Sequence, residues 1–254
     1  MHLFSFYNKV MKNKYLIYRI LIVFVVVTFV TNMAFVALQK NVVRQEKLKA
    51  EYTVNSTIDR VEVQLEAYIQ KVNFLKKTIE AGIDLDDAYF KSIASRLYSE
   101  DSAIQAIELA PNGIVKNVYP IEGNEQAYGI NLLTDHTRKF AANSAKSTSK
   151  YTMEGPYDLK QGGKGALLFD PIYVNDEFWG FSILVIDWDA FLTEIHLDEL
   201  EKASYDYVIW KKDRFTKEKI IISKSSENID SDTLLVKCAL PNNNWNFEII
   251  PKNG

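Results

Sequence analysis

The stretch VNSTIDRVEVQLEAYIQKVNFLKKTI (residues 54–79) decides how the rest of the chain is read. Its apolar residues fall at Val54, Ile58, Val61, Leu65, Tyr68, Val72, Leu75 and Ile79, in steps that alternate four and three. Steps of that kind place every side chain of the set on one face of an α-helix, and sustained over more than three heptads they form a seam. Asp59, Arg60, Glu62, Gln64, Glu66, Gln70, Lys71 and Lys76 fill the positions between, and neither Gly nor Pro interrupts the run before Gly82. Two readings fit this seam. It can pair with the same helix of a second copy, or it can lie lengthwise on its own domain. Val63, Ile69 and Phe74 widen the stripe, as a globular contact requires. Both uses together are expected, with a homodimer formed through the long helix.

Toward the N-terminus the helix leads back into ILIVFVVVTFVTNMAFVAL (residues 20–38), 19 residues without a charge. A spanning helix needs about 20 apolar residues at about 1.5 Å of rise each. A cleaved signal peptide has a shorter apolar region and an A-x-A-like site, whereas Ala34 and Ala37 are separated by two residues. An uncleaved membrane anchor follows. Lys9, Lys12, Lys14 and Arg19 precede it, and Lys40, Arg44, Lys47 and Lys49 follow it, so the Lys/Arg count gives no orientation.

Past Gly82 the pattern changes to short elements. DDAYFKSIASRLYS (86–99) reads as an amphipathic helix. AIQAIELA (103–110), GIVKNVYP (113–120), KGALLFDPIYV (164–174) and FWGFSILVID (178–187) read as strands, with a helical stretch from Thr134 to Ser147. Asn112-Gly113 and Asn175-Asp176-Glu177 are hairpin signals. After a helix near 188–202, a second strand-rich unit holds DYVIWKK (206–212), KIIISKS (219–225), TLLVKCALP (233–241) and WNFEIIP (245–251). The fold class is α+β: a transmembrane helix, a long helix, and one or two small antiparallel sheets.

Composition narrows the function. The net charge of −3 argues against a nucleic-acid partner. The single cysteine, Cys238, excludes an intrachain disulfide framework and a multi-cysteine zinc site and reads as a buried structural thiol. His136 and His196 have no Ser or Cys partner at triad spacing, and no metal site is expected. The loop QGGKG (161–165) lacks the spacing of a phosphate-binding loop. No catalytic residue and no cofactor are expected, and the protein is not expected to be an enzyme. Pro120, Pro156 and Pro171 are read as strand ends or turns, and Asp187 as a helix N-cap.

Three ordered pieces carry a resemblance: IQAIELAPNGIVKNVYPIEGNEQAYGINLL, GPYDLKQGGKGALLFDPIY and FWGFSILVIDWDAFL. Together they resemble the CHASE domain, an extracytoplasmic sensor of membrane receptors, and PNNNWNFEIIPKNG resembles the tail of such ectodomains. A double Cache module would keep the same function. The resemblance implies two PAS-like subdomains after the long helix, the membrane-distal one holding a small ligand, on the outer side of the cell membrane. It implies the division 1–14 cytoplasmic, 15–39 transmembrane, 40–82 long helix, 83–192 ligand-sensing and 193–254 membrane-proximal. Such receptors feed histidine kinase or diguanylate cyclase outputs. The chain resembles one stopped before its second membrane helix, and the alternative is a stand-alone anchored binding module. Arg138 and Glu154 are implied to border the ligand cavity, with Phe169, Tyr119 and Tyr173 lining it. Plant cytokinin receptors place an acidic residue near the Arg138 position, so the arginine points to an anionic ligand.

Overall fold

The computed structural model describes residues 2–99, 103–159, 162–214, 216–225, 233–240 and 244–252. Gln161 of QGGKG and the first residues of the PNNNWNFEIIPKNG tail, 241–243, lie outside them. The chain divides into two compact units, Met1–Lys49 and Ala50–Gly254. Helix α1 (His2–Glu80) is a single element.

The first unit is helical. From Leu16 to Val43 its large apolar side chains are exposed, and among the described residues this is the one helix long and apolar enough to cross a membrane. The hydroxyls of Thr28 and Thr31 donate to the carbonyls of Phe24 and Val27, at 2.8 and 2.9 Å, so the helix satisfies its own polar side chains within the apolar run.

In the second unit the heptad seam of α1 is consumed. All eight seam residues are at most 6% exposed and belong to one apolar cluster with residues of two sheets. Of the two uses expected together, the lengthwise one is present: the Val54–Ile79 seam packs on its own domain, so those side chains are not the ones a second copy would meet. Val63 and Phe74 do not widen it. They are exposed, while Ile69 packs against the cluster. Polar groups fix the helix along its length. The Arg60 Nε donates to the Ile195 carbonyl (2.7 Å), Gln64 and Tyr68 both donate to Glu194, and Lys71 donates to the Leu97 carbonyl (3.0 Å).

Helix α2 (Asp87–Ser99) follows, its first turn capped by the Asp86 carboxylate, which accepts from the Tyr89 amide at 2.7 Å. The first sheet contains β1 (Ile104–Pro111), β2 (Asn117–Tyr119), β3 (Thr152–Asp158), β4 (Lys164–Val174) and β5 (Glu177–Asp187), in the order β2-β1-β5-β4-β3, with every pair antiparallel. Helix α3 (Lys139–Thr148) lies between β2 and β3 in sequence and is shorter than the stretch expected from Thr134. The β4–β5 hairpin turns on Asn175 and Asp176, both at positive φ as such turns require.

Pro171 sits inside β4 rather than ending it. β3 pairs with β4 only as far as Phe169, so at Pro171 one side of the strand has no ladder and the missing N–H costs nothing. Pro156 likewise lies within β3, an edge strand.

Two short helices, α4 (Trp188–Glu194) and α5 (Asp198–Lys202), replace the single one expected over 188–202. The Asp187 carboxylate caps α4 by accepting from the Ala190 amide at 2.9 Å. The second sheet, β6 (Tyr205–Lys212), β7 (Lys219–Lys224), β8 (Leu234–Ala239) and β9 (Asn244–Pro251), has the order β7-β6-β9-β8. Cys238 is buried in its core, where burial pushes the thiol up to about 12.

Candidate functional site

Alternation along the strands gives the first sheet two inner faces. Ile107 and Leu109 of β1, Leu168 and Ile172 of β4, and Leu184 and Ile186 of β5 join the cluster built on α1. Their neighbours Ala106, Ala110, Leu167, Phe169, Phe181, Ile183 and Val185 form a second cluster on the opposite face. That second face is covered by the segment between β2 and β3. Val115 and Leu132 pack on it, and so does α3 through Ala141, Ala142 and Ala145. Three alanines on one side of α3 let its backbone approach the sheet closely.

Polar groups are buried within this otherwise apolar layer. Glu108 occupies the middle of β1 and is 3% exposed, and Arg138 precedes α3 and is 5% exposed. With Val115, Ile130, Leu132 and Leu167 they line an enclosed cavity of about 10 Å³, the size of one water molecule. Burial pushes the Glu108 carboxyl up to about 7, with the Arg138 charge opposing that rise. The carboxylate accepts no hydrogen bond among the described residues. The Tyr157 hydroxyl is buried without a hydrogen-bond partner. Burial raises its pKa, and the charges of Arg138 and Glu108 both act on it.

Arg138 itself is held. Asp135 accepts from the amides of Thr137 and Arg138 at 3.1 Å, from the Thr137 hydroxyl at 2.8 Å and from Arg138 Nη1 at 3.2 Å. Burial alone would raise the Asp135 pKa. The Thr137 hydroxyl, the Arg138 charge and the two amides outweigh it and hold the carboxyl below its ordinary value.

Tyr157 reaches this layer through an irregularity in β3. The register against β4 shifts between Glu154 and Tyr157. Gly155 sits there at φ 128°, where a Cβ would stand 2.7 Å from Ala166 Cα, so only glycine fits. On the other side of this kink Glu154 pairs with Lys211 (3.0 Å) and Arg214 (3.4 Å), and Lys211 also donates to the Gly155 carbonyl.

The residues expected from sequence therefore separate. Arg138 lines the cavity. Phe169 lies on the same face, fully buried and edge-on to Phe181 at 6.1 Å, as core. Tyr119 lies at a different place, edge-on to Tyr98 (5.7 Å), in a groove of about 380 Å³ between α2 and β2 that Lys91, Lys116 and Tyr128 also line. Tyr173 faces a surface pocket beside α3, its hydroxyl donating to the Lys146 carbonyl. Glu154 joins the first sheet to β6 through its ion pair with Lys211. The cavity group not expected was Glu108, and the buried Tyr157 hydroxyl near it was not expected either. The signal for Glu108 was present, a lone charge inside the apolar run AIQAIELA.

Residues 110–219 match the CHASE domain. That match spans less than half of the chain. The matched segment takes in Arg138 and Tyr157, while Glu108 lies two residues ahead of it. No curated protein matches the chain.

Solved structures share the fold at low identity. The extracellular ligand-binding receptor from Desulfohalobium retbaense aligns with a TM-score of 0.60 at 13% identity over 78% of this chain. This chain covers 39% of that receptor's length. The ligand-binding domain of the Pseudomonas aeruginosa amino acid chemoreceptor PctB, in complex with L-Arg, aligns with a TM-score of 0.57 at 13% identity, covering 78% of this chain and 91% of that one. That of the Pseudomonas fluorescens chemoreceptor CtaA with L-serine gives 0.53 at 13% identity, covering 78% and 93%. The segment that matches the CHASE domain thus lies within a two-sheet fold shared with these solved structures.

Proposed function

We propose that this protein is an extracytoplasmic sensor of a small ligand, anchored by one membrane helix, with its ligand site on the α3 face of the first sheet. The observation that carries this reading is the buried set Glu108, Arg138 and Tyr157 in an otherwise apolar layer. Burying the Glu108 carboxyl and leaving the Tyr157 hydroxyl without a hydrogen bond each cost free energy, which a ligand that bonds them would offset. The chemoreceptor domains of the same fold hold amino acids, L-Arg in one and L-serine in another. In this reading Arg138 contacts the ligand and Phe169 supports the floor of the site. Glu154, Tyr119 and Tyr173 act around it rather than within it.

The cavity holds no more than a water-sized volume, so a ligand enters by loosening the cover formed by residues 113–148. A ligand that binds the loosened state better shifts the population toward it. The opposite face of the same sheet carries α1, and α1 continues to the apolar segment, which gives the change a route to an output domain. In this division 15–39 spans the membrane, 40–82 is the relay helix, 83–192 senses and 193–254 is membrane-proximal. A second copy would meet α1 on Tyr52, Val63 and Phe74, which are exposed and recur every eleven residues, so that they share one helix face.

The test is thermal melting of the full chain in nanodiscs against amino acids, organic acids and purines. A ligand at a hundredfold excess over its Kd adds about 2.7 kcal/mol. A reproducible rise in Tm that Arg138→Ala abolishes is expected. A rise that survives Arg138→Ala, or no rise with any compound on a folded sample, contradicts the proposal.

A further inference from the structure

Strand β3 is attached to three parts of the molecule over residues 152–157. The buried Thr152 hydroxyl donates to the Ala141 carbonyl, in the first turn of α3, at 2.9 Å. Tyr157 packs against the cluster beneath α3. Between them, the Lys211 amine of β6 donates to the Glu154 carboxylate at 3.0 Å and to the Gly155 carbonyl. The same stretch is where β3 leaves its ladder. Glu154 stands opposite Leu167 and Tyr157 opposite Gly165, so Gly155 and Pro156 share one β4 residue, Ala166. A bulge of this kind interrupts the ladder locally, and here the bulged backbone is bonded to β6 instead.

Lys211 holds a position that packing alone does not ask of a charge. Tyr207, Ile209 and Lys211 are alternate residues of β6 and all are buried, and the first two join the α1 cluster. A buried amine costs free energy unless it is paired, and an apolar side chain of similar volume often stabilises as much as a buried ion pair does. What the pair adds is a fixed relation between the β3 bulge and β6. Along β6, Lys211 stands opposite Ile220 of β7 and directly follows Trp210, which pairs with Asn246 of β9. The amine therefore ties the bulge to an inner strand of the second sheet.

We infer that Lys211 is a positioning residue that couples α3 to the second sheet through the β3 bulge. Its role in signalling rests on the sensor reading and deepens it. When the cover formed by residues 113–148 loosens, Thr152 and Tyr157 move with it, and the bulge between them shifts against β6. Lys211 passes that shift to β6 and, through the neighbouring pair Trp210–Asn246, to β9. This route is separate from α1, which lies on the opposite face of the first sheet. Because the coupling is an equilibrium one, a disturbance at either end is felt at the other.

The experiment is hydrogen exchange of the full chain in nanodiscs, without ligand, comparing the parent with Lys211→Met and Thr152→Val. Arg214 still pairs with Glu154 in Lys211→Met, so the carboxylate keeps a partner. The expected result in that variant is exchange faster by about fivefold or more at the α3 amides of residues 142–148, with the α1 amides of residues 58–72 unchanged. Thr152→Val is expected to speed exchange along β6, at residues 205–210, in the same way. Unchanged α3 amides in Lys211→Met, whatever happens in β3 and β6, make the lysine a local contact and overturn the inference. So does a response of α3 to Lys211→Met with no response of β6 to Thr152→Val, since the coupling must be reciprocal. Lys211→Gln, shorter and also uncharged, takes the place of Lys211→Met if that variant does not fold. Faster exchange throughout, the α1 amides included, marks a general stabiliser and overturns the inference. No ligand enters the measurement, so its failure leaves the sensor reading standing, and a chain whose Tm no compound raises contradicts the sensor reading and leaves the coupling standing.

Discussion

The two faces of the first sheet are made by alternate residues of the same strands, yet they treat polar groups differently. On the α1 face Ser182 and Asp170 are matched, while the Trp188 Nε1 is buried in the same cluster without a hydrogen-bond partner. The Ser182 hydroxyl donates to the Val72 carbonyl at 3.0 Å, and Asp170 pairs with Lys76 at 3.0 Å. On the α3 face the Tyr157 hydroxyl has no hydrogen-bond partner, and burial raises the pKa of the Glu108 carboxyl. The first face is assembled for packing. The second carries the buried carboxyl and guanidinium of Glu108 and Arg138 in an otherwise apolar layer, which the proposed ligand site uses.

Substitutions can break or sharpen that contrast. The largest effect belongs to the packing face. Leu184→Ala, at a fully buried position against the α1 cluster, is expected to cost about 4 kcal/mol, read as the shift of the denaturation midpoint. Lys76→Met strands the Asp170 carboxylate and is expected to cost about 3 kcal/mol. Asp170→Asn should stay within about 1 kcal/mol of the parent, because burial already raises the Asp170 pKa against the pull of Lys76. Equal losses from the two changes would mean the pair is a net stabiliser and would weaken the contrast.

The ligand face predicts a pH dependence. Glu108 binds its proton more tightly in the folded state, moving from 4.5 to about 7, so its contribution to stability is complete below pH 4.5 and is lost as pH rises through about 7. The loss is on the order of 3 kcal/mol between those limits. Glu108→Gln should remove that slope and melt above the parent at pH 8. An unchanged slope would show that Glu108 is solvated.

The smallest effect falls to Glu154→Gln. Its carboxylate is partly exposed, so the change should move stability by less than about 1 kcal/mol and leave ligand protection intact. Lost protection would return Glu154 to the ligand site.

Parts of this were legible in the sequence because one physical rule governed them. The four-three spacing from Val54 to Ile79 named eight buried residues of that α1 face and missed Ala50 and Thr57, which are buried as well. It did not separate a dimer seam from lengthwise packing, because both ask for the same period. The β4–β5 hairpin was legible because Asn175-Asp176 tolerates the positive φ its turn needs. β3 was not legible as an alternating strand, since Gly155-Pro156 interrupts it, and Tyr157 was lost with it. Arg138 was reached only through the family resemblance. Its neutralisation by Asp135 depends on a local turn that spacing does not reveal. Tyr119 and Tyr173 were assigned to the cavity as strand aromatics, but strand register turns each toward a different surface.

The central claim is that ligand binds beneath α3 and not in the larger groove between α2 and β2. Hydrogen exchange of the full chain in nanodiscs, with and without a compound that raises Tm, tests it most directly. The account predicts altered exchange in residues 113–148 and along β1 around Glu108, with α2 unchanged. Protection confined to α2 and to the strand bearing Tyr119, with residues 130–148 unchanged, would contradict it.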